Sequence, residues 1–332
     1  MQHRRPARRF ALTALLAAAT LACGTRDEGE RDTAKGDPSA SGPLEVFNAG
    51  SLARPLRVAL DTFAAREGIR FQQEHAGSLE TARKLTELGR IPDVIALADY
   101  EVFPQVLMPA HVAWYAQFAR NRMVLAYTDR SRLASDVTPA NWWQVVQRPG
   151  VQVGHSNPDL DPAGYRALLV FQLAESYYRQ SGLAEALRRS VPLKNVRPKS
   201  ADLVALAEAG ELDYVWEYES VAQAADLRYL RLPDAIDLGS PADSLAYSRS
   251  AVRVVGRTPR DTITMRGAPI VYGLSIPTAA PHPKLAERFV AFLLSPAGKR
   301  LMATQHLDAL ERPRFVGGGV PASVTAASQG GR

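Results

Sequence analysis

The chain has 332 residues, 46% hydrophobic and 22% charged, which is a normal globular composition and enough length for two domains. Its formal charge of +6 comes largely from four arginines in the first ten positions, and the remaining 36 basic residues nearly balance the 34 acidic ones. No later run of Lys or Arg forms a basic patch, so the composition argues against a nucleic-acid-binding function.

Residues 1–23 are predicted to be an export signal. A basic start precedes an apolar run from Phe10 to Leu21, which is too short to span a bilayer. Cys23 is the only cysteine, which excludes a disulfide framework and a cysteine-based metal site. Because Cys23 directly follows Thr20-Leu21-Ala22, as in a bacterial lipoprotein cleavage site, we predict that it is the lipidated first residue. The alternative is a soluble exported protein that is cleaved nearby.

The rest of the chain is predicted to form two lobes between two loose segments. Residues 24–43 are polar and lack apolar periodicity, so they predict a flexible tether. Residues 317–332 are rich in Gly, Ala and Ser and predict a loose C-terminal tail. Residues 44–122 and 273–316 are predicted to form lobe 1, and residues 123–272 to form lobe 2.

Strand-like and helix-like runs alternate through lobe 1, which predicts an α/β fold. Residues 93–97 are apolar after the first, as in a parallel sheet covered on both faces. Residues 101–118, with Pro104 and Pro109, are predicted to be a looser connection. The predicted strands of this part are 44–48, 69–74 and 93–97, and the predicted helices are 52–66 and 79–88.

Two strands, 122–127 and 269–276, are predicted to cross between the lobes as a hinge, which places a ligand cleft between the lobes. An amphipathic helix at 284–303 is predicted to pack back on lobe 1. Asp161-Pro162 is a strong helix start, with Asp as the cap and Pro at the first helical position. Lobe 2 is predicted to contain helices at 140–146, 164–180, 200–209 and from about 220, and strands at 151–153 and 212–216.

Two similar motifs, NAGSL at 48–52 and HAGSL at 75–79, each follow a strand-like run and precede a helix-like run. Such a turn leaves unpaired N–H groups at the helix start, beside the hydroxyl of Ser51 or Ser78. Two of these ends on neighbouring strands would converge on an anion, because helix dipoles and N–H donors favour negative charge. For either serine alone, the alternative is an ordinary helix cap.

Further candidate residues lie at similar junctions in lobe 2. Together they offer hydroxyls and helix-start amides without an obligatory Lys or Arg, which suits a compact, fully deprotonated oxyanion. The alternatives are helix capping for Asp161 and Ser200, and an apolar core position for Tyr218. The candidate oxyanion-binding residues are Gly50, Ser51, Ser78, Asp161, Pro162, Ala163, Ser200 and Tyr218.

A set of motifs extends in order through nearly the whole chain after residue 44. They are AGSL at 49–52, AGS at 76–78, DVIALADY at 93–100, NPDLDPAGYR at 157–166, QLAESYY at 172–178, GELDYVWEY at 210–218, SVA at 220–222 and PIVYG at 269–273. This set resembles the molybdate/tungstate-binding proteins of ABC importers, in particular a branch first known from archaea. The resemblance implies a type 2 periplasmic-binding-protein fold whose two α/β lobes close on an oxyanion.

By position, the resemblance implies that Ser51 and Ser78 donate hydrogen bonds to the oxyanion through their hydroxyl and amide groups. It also implies that Asp161 to Ala163 form the contact from lobe 2, and that the phenol of Tyr218 donates a further hydrogen bond. Relatives with six-coordinate metal use a carboxylate at the Asp161 position and a Glu where this chain has Ser200. We therefore expect a nearly tetrahedral anion held by hydrogen bonds. Asp161 stays a candidate direct ligand to the Mo or W atom of that anion.

The resemblance also implies a function as a non-enzymatic receptor without a cofactor. We expect a monomer that is anchored to the periplasmic side of the membrane through Cys23 and delivers molybdate or tungstate to an ABC permease. A phosphate or sulfate receptor on the same fold is the main alternative, with Asp161 as the acceptor for a phosphate proton. A secreted serine hydrolase is a weaker alternative, because neither serine lies in Gly-x-Ser-x-Gly.

Overall fold

The structure, a computed structural model, describes residues 42–330. The predicted export signal, Cys23 and nearly all of the predicted tether therefore lie outside the described residues. Within residues 42–330, no helix combines the length and the apolar character that a membrane crossing requires.

Strands and helices alternate along most of the described chain. The strands are β1 (Leu44–Ala49), β2 (Phe71–Ala76), β3 (Val94–Leu97), β4 (Trp114–Arg120), β5 (Met123–Tyr127), β6 (Val153–Ser156), β7 (Val196–Arg197), β8 (Tyr214–Tyr218), β9 (Arg228–Arg231), β10 (Ala251–Val255), β11 (Thr262–Arg266), β12 (Val271–Ser275) and β13 (Asp308–Gly317). The helices are α1 (Ala53–Glu67), α2 (Ser78–Thr86), α3 (Trp142–Val145), α4 (Pro162–Tyr178), α5 (Leu183–Arg189), α6 (Ala201–Ala209), α7 (Glu219–Ala224), α8 (Ser244–Tyr247), α9 (Pro283–Leu294), α10 (Pro296–Ala303) and α11 (Ala322–Ser328).

The strands of lobe 1 form a six-stranded sheet in the order β13-β4-β12-β3-β1-β2. β1 is parallel to both β2 and β3, whereas β12 is antiparallel to β3 and β4. Parallel neighbours require crossover connections, which α1 and α2 provide. The register pairs Ala49 with Ala76, so the two Ala-Gly-Ser junctions follow the adjacent ends of paired strands.

The strands of lobe 2 form a five-stranded sheet in the order β7-β6-β8-β5-β9, and β10 and β11 form a separate hairpin. The chain passes to this sheet at Asn121-Arg122, between β4 and β5, and returns just before β12. The connections between the lobes are therefore short segments beside the predicted crossing strands. The predicted two-lobed α/β fold is confirmed.

Buried apolar side chains fill both faces of the sheets. On lobe 1, the Phe63 ring of α1 packs edge-on against Phe289 of α9 with a centroid distance of 5.3 Å. On lobe 2, Trp216 of β8 contacts Trp142 at 5.3 Å and Phe171 of α4 at 5.2 Å. Full burial of each such side chain contributes about 1.5–3 kcal/mol. This packing fixes the ends of β1, β2 and β8, where the candidate residues lie.

The structure differs from the sequence prediction in three segments. Residues 101–118, predicted to be a looser connection, include the first five residues of β4 (Trp114–Arg120), a strand buried on both faces that lacks the alternation of a half-buried strand. The predicted helix 284–303 is two helices, because Pro296 forces Ser295 into an extended conformation with ψ of 164°. The tail 317–332, predicted to be loose, contains α11, whose Val324 is buried where α11 packs on α9.

Candidate functional site

The four predicted junctions meet where the two lobes touch. A Cβ placed on Gly50 would lie 3.6 Å from the Cβ of Ala201, the residue after Ser200. A Cβ placed on Gly77 would lie 2.2 Å from the carbonyl oxygen of Leu160 and 3.0 Å from the Cβ of Asp161. The structure therefore brings the two Ala-Gly-Ser turns of lobe 1 against the two helix starts of lobe 2.

Asp161 joins the two helix starts of lobe 2. One carboxylate oxygen accepts from the Ala163 amide at 3.3 Å and caps α4, as predicted, with Pro162 at the first helical position. The other oxygen accepts from the Ser200 amide at 2.6 Å. Burial raises the pKa of Asp161 to about 6, against the lowering effect of these two amides. Ser200 occupies the N-cap position of α6, but its side chain makes no capping bond.

Neither serine of the Ala-Gly-Ser turns caps a helix, so the capping alternative is wrong for both. The N-cap residues of α1 and α2 are Leu52 and Gly77. The Ser51 hydroxyl instead accepts from the Tyr272 hydroxyl at 3.1 Å, and the Ser78 hydroxyl accepts from the Ala98 amide at 2.9 Å. Both serines are buried.

Tyr218 is fully buried, and its hydroxyl accepts from the Arg166 guanidinium at 2.7 Å. Arg166, on α4 of lobe 2, also donates to the Ala98 carbonyl at 2.7 Å and pairs with Asp99 of lobe 1 at 3.0 Å. Burial raises the pKa of Tyr218 well above 10, although the guanidinium opposes this rise, so the phenol keeps its proton. The sequence analysis did not single out Arg166, whose guanidinium lies beside the predicted candidate residues.

Three buried hydroxyls of the cluster, those of Ser51, Ser78 and Tyr218, share one hydrogen-bonding pattern. Each oxygen accepts a hydrogen bond from a protein donor. Within residues 42–330, the protein provides no acceptor for the hydrogen of any of the three. A hydroxyl that already accepts has its hydrogen left to donate. The arrangement therefore presents several hydrogen-bond donors to a ligand that carries only acceptors.

The amides at the start of α2 are used differently from the prediction. The amides of Leu79 and Glu80 donate to the Leu160 carbonyl of lobe 2 at 3.0 and 3.2 Å. These two donors of the helix start therefore bind the opposite lobe. Among the described residues, the hydroxyl hydrogen and the backbone amide of Ser78 have no acceptor, so both stay available at this helix start.

Glu217, the residue before Tyr218 on β8, was not singled out by the sequence analysis. It is fully buried, and one of its oxygens, Oε1, accepts from the Tyr218 amide at 2.7 Å. The other oxygen, Oε2, has no hydrogen-bond partner among the described residues. Burial raises the pKa of Glu217 to about 8, and the nearby Asp161 carboxylate adds to this rise. An acid at the end of the apolar strand YVWEY is the sequence signal that points to it.

A cavity of about 150 Å³ lies next to the cluster, between α1, α6 and α7. Gly50 and Ser51 form part of its wall on lobe 1, and Ala201 and Ser220 on lobe 2. Over residues 42–330, no group of three or more His, Cys, Asp or Glu side chains is arranged to hold a metal ion.

Two α/β lobes with a polar cluster between them are typical of solute-binding proteins that hold a small ligand between domains. Residues 44–307 match the family of bacterial extracellular solute-binding proteins, and the chain belongs to this family. An uncharacterized solute-binding protein from Petrotoga mobilis is 41% identical over 277 residues, which cover 83% of this chain and 86% of the relative.

Two relatives carry a ligand in their names. The molybdate/tungstate-binding protein WtpA of Pyrococcus abyssi is 35% identical over 90% of this chain and 93% of its own length. WtpA of Thermococcus kodakarensis is 33% identical over 91% of both chains. Among solved structures, the periplasmic molybdate-binding protein of Azotobacter vinelandii matches with a TM-score of 0.54 at 15% identity, over 80% of this chain and 98% of its own. This structural match shows the shared fold.

The raised pKa of Glu217 predicts how stability depends on pH. The folded protein holds a proton on Glu217 up to about pH 8, whereas the unfolded chain releases it near 4.5. The free energy of unfolding of the ligand-free protein should therefore fall as pH rises through this range. The pKa of Asp161 is raised from 3.8 to about 6, so this carboxyl group also lowers the free energy of unfolding as pH rises, but at lower pH.

Glu217→Gln should remove the contribution of Glu217 to this pH dependence, so the free energy of unfolding should change less between pH 6 and 8. Urea denaturation from pH 5 to 8.5 measures this difference. Parallel curves for the wild type and the variant would show that Glu217 is ionised in the folded protein.

Proposed function

We propose that this solute-binding protein captures molybdate or tungstate between its lobes and delivers the anion to an ABC permease. The observation that carries the proposal is the set of three buried hydroxyls, Ser51, Ser78 and Tyr218, each of which accepts a hydrogen bond from the protein and so keeps its own hydrogen for a ligand. A fully deprotonated tetrahedral dianion accepts at each of its oxygens and offers no hydrogen. The similarity to two molybdate/tungstate-binding WtpA proteins supports the choice of anion.

Charge and coordination follow from the neighbours of these donors. Burying a dianion without a counter-charge is costly, and Arg166 places one positive charge behind Tyr218. Both oxygens of Asp161 already accept backbone amides, which favours a nearly tetrahedral anion held by hydrogen bonds over direct coordination of the metal. We propose that no further cofactor is needed.

Phosphate and sulfate differ from molybdate in protonation and in size. Hydrogen phosphate carries a proton and needs an acceptor in the site, which the three donor hydroxyls do not supply. Sulfate lacks a proton but is smaller than molybdate. Serine hydrolysis is disfavoured, because neither Ser51 nor Ser78 is hydrogen-bonded to a histidine among residues 42–330 and the family consists of solute-binding proteins.

A thermal-shift panel tests the choice of ligand. Molybdate and tungstate should each raise the melting temperature, since a ligand at 100 times its Kd adds about 2.7 kcal/mol of stability. Sulfate and phosphate at equal concentration should have a small effect, and sodium chloride at matched ionic strength is the control. A phosphate shift larger than the molybdate shift would favour the phosphate receptor.

Single substitutions test the donor hydroxyls. Ser51→Ala and Ser78→Ala should each weaken molybdate binding by about 1–3 kcal/mol, roughly five- to 150-fold, because each leaves an anion oxygen short of a donor. Ser250→Ala is the matched control, since Ser250 is also buried but donates to the Tyr247 carbonyl away from the site. Calorimetric titration measures all three. Equal affinities for the site and control variants would contradict the assignment.

Gly77→Ala tests whether binding requires the contact between the lobes. Alanine adopts the Gly77 backbone angles, φ of −63° and ψ of 149°, without strain, so lobe 1 should fold normally. Its Cβ would overlap the Leu160 carbonyl oxygen of lobe 2, so we expect a large loss of molybdate affinity. The control is Gly318→Ala, where the added carbon has no neighbour within 4 Å. Unchanged affinity in Gly77→Ala would show that the lobes bind the anion without this approach.

We also propose that Cys23 carries a lipid that anchors the protein to the membrane. The proposal rests on the lipoprotein-like segment that ends at Cys23 and on the polar residues after it. The wild type should fractionate with membranes and incorporate labelled palmitate, and Cys23→Ala should do neither. Recovery of the wild type entirely in the soluble exported fraction would contradict the anchor.

A further inference from the structure

Glu217 lies inside the cluster but takes no part in the binding described so far. It precedes Tyr218 on β8, so the two side chains leave opposite faces of the strand. Tyr218 reaches Arg166, whereas Glu217 lies on the same face of β8 as Val215, which packs against Leu203 of α6. Tyr272, the partner of Ser51, lies beside Tyr218, the next residue after Glu217, with a ring-centroid distance of 6.0 Å.

One oxygen of this carboxyl group is unsatisfied. Oε1 accepts from the Tyr218 amide, but Oε2 has no protein partner within residues 42–330, although the side chain is fully buried. A buried polar atom without a partner is destabilising, so such an atom beside a binding cluster indicates a group that the ligand satisfies.

The surroundings of Glu217 favour its neutral form. Burial raises its pKa to about 8, and the negative charge of Asp161 adds to this. Because Oε1 accepts an amide hydrogen, the proton of the neutral acid belongs on Oε2. The other charged groups on nearby elements are paired elsewhere: Arg166 with Asp99, Lys199 with Asp202, and Glu219 with Arg231.

We propose that Glu217 contacts the bound oxyanion as a neutral acid, with its free oxygen donating a hydrogen bond to the anion. This inference rests on the proposed function. It adds a fourth hydroxyl donor to those of Ser51, Ser78 and Tyr218, and it makes Glu217 a determinant of specificity for anions that carry no hydrogen.

Two substitutions separate this role from the alternatives. In Glu217→Gln, the amide oxygen accepts from the Tyr218 amide and the amide nitrogen donates to the anion, so molybdate affinity at pH 7 should stay within about threefold of the wild type. Glu217→Leu keeps similar volume but no donor, and should bind about five- to 150-fold more weakly. Glu219→Gln, two residues further along, is the control and should bind like the wild type.

Calorimetric titration of molybdate into each folded variant decides the outcome. Wild-type affinity in Glu217→Leu would show that Glu217 does not contact the anion. Equally weak binding by the Gln and Leu variants would show that the contact requires an ionised carboxylate, and X-ray absorption would then detect expanded coordination of the metal. If the wild type binds none of molybdate, tungstate, sulfate and phosphate, the proposed function fails and not this inference alone.

A second measurement applies if the Leu variant does not fold. Between pH 7 and 9.5 the wild type should lose molybdate affinity, because an ionised Glu217 repels the dianion, whereas Glu217→Gln should lose less. Equal losses in the two proteins would overturn the proposal.

Discussion

The buried guanidinium of Arg166 connects the two lobes at the site. It extends from α4 of lobe 2 and binds the Ala98 carbonyl and the Asp99 carboxylate of lobe 1. A buried charge is tolerated only when it is paired and hydrogen-bonded, and the Tyr165 hydroxyl completes Asp99 with a bond of 2.5 Å. The charges of Arg166 and Asp99 are therefore paired only when the two lobes are in contact.

The same guanidinium orients candidate binding groups. It donates to Tyr218 directly, and it binds the carbonyl of Ala98, the residue whose amide donates to Ser78. On the other side of the cluster, Asn121 at the crossing between the sheets donates to the Tyr272 hydroxyl at 3.0 Å, and Tyr272 donates to Ser51. Each of the three candidate hydroxyls is thus held by a second residue, and side chains held in this way lose less conformational entropy when a ligand binds.

The fold and half of the site followed from local sequence patterns. The Ala-Gly-Ser turns were predictable because the apolar periodicity changes there from that of a strand to that of a helix. The helix start at Asp161-Pro162 was predictable because helix capping depends on residues that are adjacent in sequence. Arg166 and Glu217 were not assigned to the site, since their roles depend on residues far away in the chain. The Arg166–Ala98 hydrogen bond joins residues that are 68 positions apart in the chain. That Oε2 of Glu217 is buried without a hydrogen-bond partner is visible only in the three-dimensional structure of the described residues.

The contact of the Leu160 carbonyl with the start of α2 has a consequence for how ligand binding is coupled to domain motion. Part of the free energy that holds the lobes together comes from contacts between the protein's own backbone groups, which do not involve cargo. A ligand then needs to shift only the remaining equilibrium between open and closed forms, so less of its intrinsic binding energy is lost in closing the protein. The same contact populates closed protein without cargo. A transporter that recognised closure alone would therefore accept empty receptors, which places the discrimination between loaded and empty forms on a later step.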